Sequence, residues 1–320
     1  MKRFVVAGSL ALLSAAVAGA FAQSYPSRPI RILVGFAPGG AADITARLLG
    51  EKFTASMGAN IVVDNRTGAT GIIATDIVAK SAPDGHTLGV FALSFAINPS
   101  IRKLPYDTER DFAPITITAT VPLVLVVTNS LPARTVRELI DLAKAKPNAL
   151  SVASSGIGSS PHLTAELFQL MTGVRMQHIA YKGSTQAHPD LIGGQVQVMF
   201  DTVVATTQLI KSGRLRALGV TSKRRSAEFP DVPAIAESVP GYESTSWGVL
   251  IAPAKVPPAI IDKLNQEAVR ALHLPDVKER LARLGAEVVG NTPAAARKFL
   301  REEVEKWAKT VKAAGITTEQ

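Results

Sequence analysis

Ile30-Arg31-Ile32-Leu33-Val34-Gly35-Phe36-Ala37-Pro38-Gly39-Gly40-Ala41-Ala42-Asp43 decides the fold class. The run from Ile30 to Phe36 is apolar and β-branched, as a strand requires. It breaks at Pro38-Gly39-Gly40, and the period then changes. Ile44, Leu48 and Leu49 place an apolar stripe along a helix from Asp43 to Met57. A strand feeding a helix through a glycine-rich turn is the repeating unit of an α/β protein.

The same alternation extends outward from this unit. Ile61–Val63 reads as a strand, Asn65–Gly71 as a polar loop, Ile72–Lys80 as a helix and Thr87–Leu93 as another strand. Val121–Thr128 is a long β-branched run. After it, Thr135 and Glu138 have capping-box spacing before a helix that runs through Lys144. Strands are expected at Leu150–Ala153, Met176–Tyr181, Val196–Phe200 and Leu215–Val220, with helices between them. They are apolar throughout rather than alternating, which points to parallel strands covered on both faces. Towards the C-terminus, Ile260, Leu264, Ala268 and Leu272 mark a helix. Asp276 with Glu279 suggests a capping box before Val277–Leu284, and Glu287–Val289 a short strand. Thr292 and Pro293 open a last helix that ends near Gly315. The runs near Val121–Val127 and Trp247–Ala252 bracket the middle of the chain and read as two connections between domains.

The N-terminus has the form of a secretory signal. Lys2 and Arg3 precede an uncharged run from Phe4 to about Val17, and Ala20-Phe21-Ala22 supplies small residues for cleavage. The run is too short and too interrupted by Gly8, Ser9, Ser14 and Gly19 for a membrane span. Removing 22 of 320 residues leaves 298, enough for two domains. Cysteine is absent, so stability is expected to come from packing and not from disulfides. Taking Lys2 and Arg3 from the 35 cations leaves 33 against 26 acids, a mature charge near +7. Those cations are spread along helices, apart from Lys223-Arg224-Arg225, so no nucleic-acid partner is expected. The surplus suits mild steering of anions.

Four junctions between strands and helices carry candidate ligand contacts. The first holds Phe36, Pro38, Gly39, Gly40 and Asp43, where adjacent glycines let the backbone approach an anion at a helix start. The second, Ser154-Ser155-Gly156-Ile157-Gly158-Ser159-Ser160-Pro161-His162, crowds hydroxyls and amides onto one helix start, with Ser160 expected at the N-cap. In the third, Gly183 and Ser184 are favoured as donors over Lys182. The fourth is Asp201, at the C-terminal end of the Val196–Phe200 strand, where open α/β sheets bind ligands; Ser94 is placed equivalently. Two such edges facing one another would enclose a cleft for a small carboxylate.

These motifs together resemble the Bug family, the periplasmic substrate-binding receptors of tripartite tricarboxylate transporters. The resemblance rests on Phe36-Ala37-Pro38-Gly39-Gly40 with Asp43, the block Ala153–Leu167, His178 with Tyr181-Lys182-Gly183, Gly193-Gly194-Gln195-Val196, Asp201, and Gly241, Trp247-Gly248 and Pro253. It implies a two-domain, type II periplasmic-binding (Venus-flytrap) fold, each domain a mainly parallel sheet flanked by helices. Residues 23–120 and 248–320 would form a discontinuous domain 1, and 121–247 an inserted domain 2. It also implies that Ser159, Ser160, Gly183 and Ser184 hold the ligand carboxylate while the Phe36–Gly40 loop closes over it. His188-Pro189 departs from the family, which more often has a small residue and a leucine there. A monomer that hands its ligand to membrane permease subunits is expected.

Other functions are less well supported by the residues. Ser159, Ser160, His162 and Asp201 could be drawn as a hydrolase triad, but no G-x-S-x-G elbow occurs. The five histidines form no i, i+4 pair, so no metal site is expected. Gly156-Ile157-Gly158 lacks the third glycine of a dinucleotide fingerprint, and no cofactor is implied. His162 reads as a packing or helix-surface residue. A receptor that reports to a signalling partner would need the same ligand-driven closure.

Overall fold

The computed structural model describes residues 25–36, 38–181, 183–226 and 228–316. The expected signal segment and cleavage site, with Lys182, lie outside them. The first part of the chain runs β1 (Ile30–Val34), α1 (Ala41–Met57), β2 (Ile61–Asn65), α2 (Ile72–Ala79), β3 (Thr87–Ala92), α3 (Ser94–Ile101) and β4 (Phe112–Thr128). The middle runs α4 (Val136–Ala145), β5 (Ser151–Ser154), α5 (Ser160–Thr172), β6 (Gln177–Ala180), α6 (Ser184–Gly193), β7 (Val198–Thr202), α7 (Val203–Lys211) and β8 (Leu215–Val220). The chain then returns through β9 (Thr245–Pro253), α8 (Pro258–Leu272), α9 (Pro275–Ala282), β10 (Glu287–Val288) and α10 (Pro293–Ala314).

Two sheets share one long strand. In the first, β2, β1 and β3 are parallel, and β9, β4 and β10 join in antiparallel pairing. In the second, β6, β5 and β7 are parallel, and β4 pairs antiparallel with both β7 and β8. Each lobe therefore has a mixed sheet, parallel in its outer three strands and antiparallel where a crossing strand enters. β4, which holds the first of the apolar runs expected to connect the lobes, pairs in both sheets, while β9, which holds the second, pairs only in the first sheet, beside β4 and β3. β4 starts nine residues before the expected Val121, at Phe112.

Burial on both faces explains the unbroken apolar strands. Ile30, Ile32 and Val34 join one cluster with α1 and α8, while Leu33 faces a second cluster with α2, α3 and α10. In the other lobe Leu123, Leu125 and Val127 pack under α4 and α5, and Val124 and Val126 pack against α6 and α7. Side chains of a strand alternate between faces, so each sheet needs helices on both sides to keep all of them dry. Each such side chain contributes about 1.5–3 kcal/mol on burial. Among the described residues no helix is long and apolar enough to cross a membrane.

Three contacts lie where the chain passes between the two sheets. Thr221, fully buried, accepts at Oγ1 from the Leu123 N–H (2.8 Å) and donates its own N–H to the Leu123 carbonyl (2.9 Å). Its carbonyl accepts from the Ser244 N–H at 3.0 Å, just before β9. Trp247, on β9 opposite Thr120, donates its indole N–H to Glu303 of α10 at 2.7 Å, and Trp307 donates to the same oxygen at 2.9 Å. α10 also packs on α5, whose Leu163 is buried in the α10 cluster.

Helix ends follow the sequence signals, with earlier starts at α1 (Ala41 for the expected Asp43), α9 and α5. Thr292 caps α10 by accepting the Ala295 N–H, and Thr135 caps α4 through the Glu138 N–H. The expected cap at Asp276 is not formed: α9 begins earlier, with Pro275 in its first turn and Leu274 at the N-cap. Proline presets φ for that position and lacks the N–H a cap would satisfy. Asp276 instead pairs with Lys52. α5 likewise begins one residue before the expected start, so Ser159 and not Ser160 is the N-cap.

Candidate functional site

A cavity of about 560 Å³ lies between the lobes, at the ends of the parallel strands. The first lobe contributes Phe36, Gly40–Ala42, Thr70, Ala92–Ser94 and Ile97. The second contributes Ser155–Pro161, Ser184, Asp201 and Thr202, and Ser246 comes from the returning strand. Its size suits a small molecule. Of the expected contacts, Phe36, Gly40, Ser94, Ser159, Ser160, Ser184 and Asp201 are brought together here. Pro38, Gly39, Asp43 and Gly183 are not among the lining residues.

Asp43 shapes the first loop from behind. Its carboxylate is buried and accepts from the Gly39 N–H (2.9 Å), Asn65 Nδ2 (3.0 Å) and Arg47 (Nη2 at 2.9 Å). Asn65 also donates to the Phe36 carbonyl at 3.0 Å. Burial alone would raise the Asp43 carboxyl, but the bonds from Arg47, Gly39 and Asn65 outweigh it and hold it below its usual range. Gly39, at φ +88°, occupies a backbone region that favours glycine. At Gly35 a Cβ would lie 2.7 Å from the Gly71 Cα, so the loop runs too close to its neighbour for any side chain. α1 then starts at Gly40 with no side-chain cap, and the first-turn N–H groups of Ala41 and Ala42 are left at the cavity edge.

The second loop rests on two stacked imidazoles. The His162 and His178 rings lie 3.9 Å apart at 15°. His162 Nδ1 accepts the Gly158 N–H at 3.1 Å, and His178 Nε2 meets Ser154 Oγ at 2.7 Å. Burial, and then the neighbouring His178, push His162 down to about 4. Burial lowers His178 as well. Both rings are thus neutral supports for the loop, and His162 is the packing residue expected of it. Ser159 accepts the His162 N–H at 3.4 Å and donates to the Gly156 carbonyl at 2.6 Å, so its hydroxyl proton is spent within the loop. The one-residue shift leaves Ser160 inside the first turn, and its hydroxyl makes no side-chain bond to another described residue.

The third cluster lies at the starts of α6 and α7. Asp201 Oδ1 accepts from Ser184 Oγ and from the Thr202 N–H, each at 2.8 Å. Asp201 Oδ2 accepts from His188 Nε2, also at 2.8 Å. Ser184 was expected to donate its hydroxyl to the ligand, but that proton is already committed to Asp201. α6 has no side-chain cap at Gly183, so main-chain N–H groups remain available there. The order serine, aspartate, histidine also differs from a hydrolytic triad, in which the histidine stands between the other two and takes the serine proton.

Several lining residues were missed in the sequence. Thr70 sits in a left-handed turn (φ +53°) and is held by Asn98 through bonds of 2.9 and 3.2 Å. Its signal was the Gly68–Gly71 loop. Ile97 and Ser246 carried no local signal of a site, and Ile157 lay within the expected second loop without being singled out. Ile157 stands about half exposed at a loop tip.

Comparison with known proteins agrees with this architecture. A family model described as the tripartite tricarboxylate transporter family receptor matches residues 45–316. BugT of Bordetella pertussis is 40% identical over 301 residues, spanning 92% of this chain and 91% of BugT. An R. palustris protein solved with adipate is 36% identical with a TM-score of 0.76, covering 91% of this chain and 99% of its own. MatC from Rhodopseudomonas palustris, solved with bound malate, is 31% identical with a TM-score of 0.73, covering 90% of this chain and all of its own. The chain belongs to the tripartite tricarboxylate transporter receptor family, as one of its Bug-type members, and this is a family of binding receptors and not of enzymes.

Proposed function

We propose that this chain is an extracytoplasmic receptor that traps a small carboxylate between its lobes and delivers it to membrane permease subunits of a tripartite transporter. The observation that carries this reading is the cavity between the lobes, onto which helix starts from both sides converge: α1 from the first lobe, α5 and α6 from the second. Unpaired N–H groups and the helix dipole favour an anion there. The adipate and malate bound by the two structural relatives support a carboxylate as ligand. Residues 23–120 with 248–320 form one lobe and 121–247 the other in this proposal, with β4 and β9 as the hinge. The receptor acts as a monomer in the periplasm, after cleavage behind Ala22.

Calorimetric titration of purified wild type, Ser160→Trp and Asp201→Ala with small carboxylates tests the site. Both variants are expected to bind at least about tenfold more weakly, which is about 1.4 kcal/mol, with unchanged circular dichroism. Unchanged affinity in both would refute the site map. Mass spectrometry of any small molecule released on denaturation would name the ligand directly.

A further inference from the structure

Ser184 lines the cavity, and its hydroxyl proton is directed to Asp201. Asp201 is 1% exposed, and the oxygen that receives the Ser184 hydroxyl also accepts the Thr202 N–H. The three bonds to Asp201 come from the Ser184 hydroxyl, the Thr202 N–H and His188 Nε2. The Ser184 proton is therefore fixed towards Asp201, and what remains for a ligand is an acceptor. His188, whose side chain is 13% exposed, holds Asp201 from the other oxygen and keeps this polarity in place. Beside this acceptor lie the uncapped N–H groups of α6, which are donors. Donor and acceptor thus stand side by side on one wall. Much of the remaining lining is apolar: Phe36, Leu93, Ile97, Ile157 and Pro161.

A plain acid would satisfy the N–H groups but leave the Ser184 lone pairs without a partner. A second carboxylate brought to Ser184 would meet an oxygen turned the wrong way, with Asp201 behind it. A hydroxyl or ammonium group would complete the wall. Resting on the receptor reading above, we propose that the site selects carboxylic acids that also carry a hydrogen-bond donor, that is hydroxy or amino acids, through Ser184 held by Asp201 and His188.

The test is calorimetry on the whole mature protein with five probes of equal chain length: butanoate, 2-hydroxybutanoate, 4-hydroxybutanoate, 4-aminobutanoate and succinate. At least one donor-bearing acid is expected to bind about fivefold or more tighter than butanoate and succinate. Ser184→Ala should reduce that ratio to about one. Asp201→Asn, whose amide can donate to Ser184 and free the hydroxyl proton for the cavity, should reduce it too or reverse it. Circular dichroism confirms that each variant is folded, and either variant alone can decide the matter. If butanoate or succinate binds as tightly as every donor-bearing acid, the inference fails while the receptor reading stands. A preference that survives undiminished in Ser184→Ala removes Ser184 from the role. If none of the five binds at millimolar concentration, the inference fails, and the receptor reading is decided separately by mass spectrometry of the molecule released on denaturation.

Discussion

Replacing Glu303 with leucine removes the acceptor shared by the only two tryptophans in the chain. Trp247 and Trp307 are 2% and 0% exposed, so water cannot take over from the lost carboxylate. Each stranded indole N–H costs about 1–3 kcal/mol, or about 2–6 for the pair. Leucine offsets part of this, because the burial cost of a carboxylate and its Lys306 partner is also removed. We expect a net loss of about 3 kcal/mol, equivalent to about 6–12 °C in Tm. Glu303→Gln keeps an oxygen facing both indoles and should lose no more than about 1.5 kcal/mol. Urea unfolding followed by circular dichroism gives the stabilities. Tryptophan fluorescence reads this one place directly, since both fluorophores are there. The reasoning fails if Glu303→Leu lies within about 0.5 kcal/mol of wild type. It fails equally if glutamine and leucine cost the same, because the charge and not the acceptor would then be the stabilising element.

Two further outcomes are expected. His162 is held at about 4 against a free value of 6.5, so the unfolded chain takes up its proton first as pH falls. Its neutral burial therefore contributes fully above about pH 6.5 and is lost progressively towards pH 4, by about 3 kcal/mol in all. His178, lowered in the same direction, adds to the slope. Urea titrations from pH 7 to pH 4 should show a shallower decline in His162→Gln, and parallel curves for variant and wild type would exclude His162 as the cause. Gly35→Ala forces a methyl to within 2.7 Å of the Gly71 Cα and should cost about 1–3 kcal/mol. Melting at the wild-type temperature would show that the first loop yields easily.

The α/β class was legible because the period of the sequence changes at each junction, and because Thr292-Pro293 and Gly315 mark the ends of α10 by their own chemistry. The early half of β4 was hidden by Pro114, which lacks the N–H of a regular ladder; the pairing with β9 shifts register between Pro114 and Thr116. At the site, positions were readable but orientations were not. Whether Asp43 faces a ligand or the protein depends on Arg47, one turn later, and on Asn65 from another strand. Ser184 reads as a donor until Asp201, 17 residues away, takes its proton. Ser159 and Ser160 exchange roles through a shift of one residue, since proline is tolerated throughout the first helical turn, whose N–H groups lack partners in any case. Such facts belong to contacts between distant segments, and composition does not encode them.

Thr221 joins the outgoing and the returning chain where both pass between the lobes. With the two passages riveted at one buried threonine, sliding of one against the other would break these bonds, whereas bending of both together would not. On the receptor reading proposed above, the shape offered to a membrane partner reduces to a single angle, and a bound molecule would announce itself by fixing that angle.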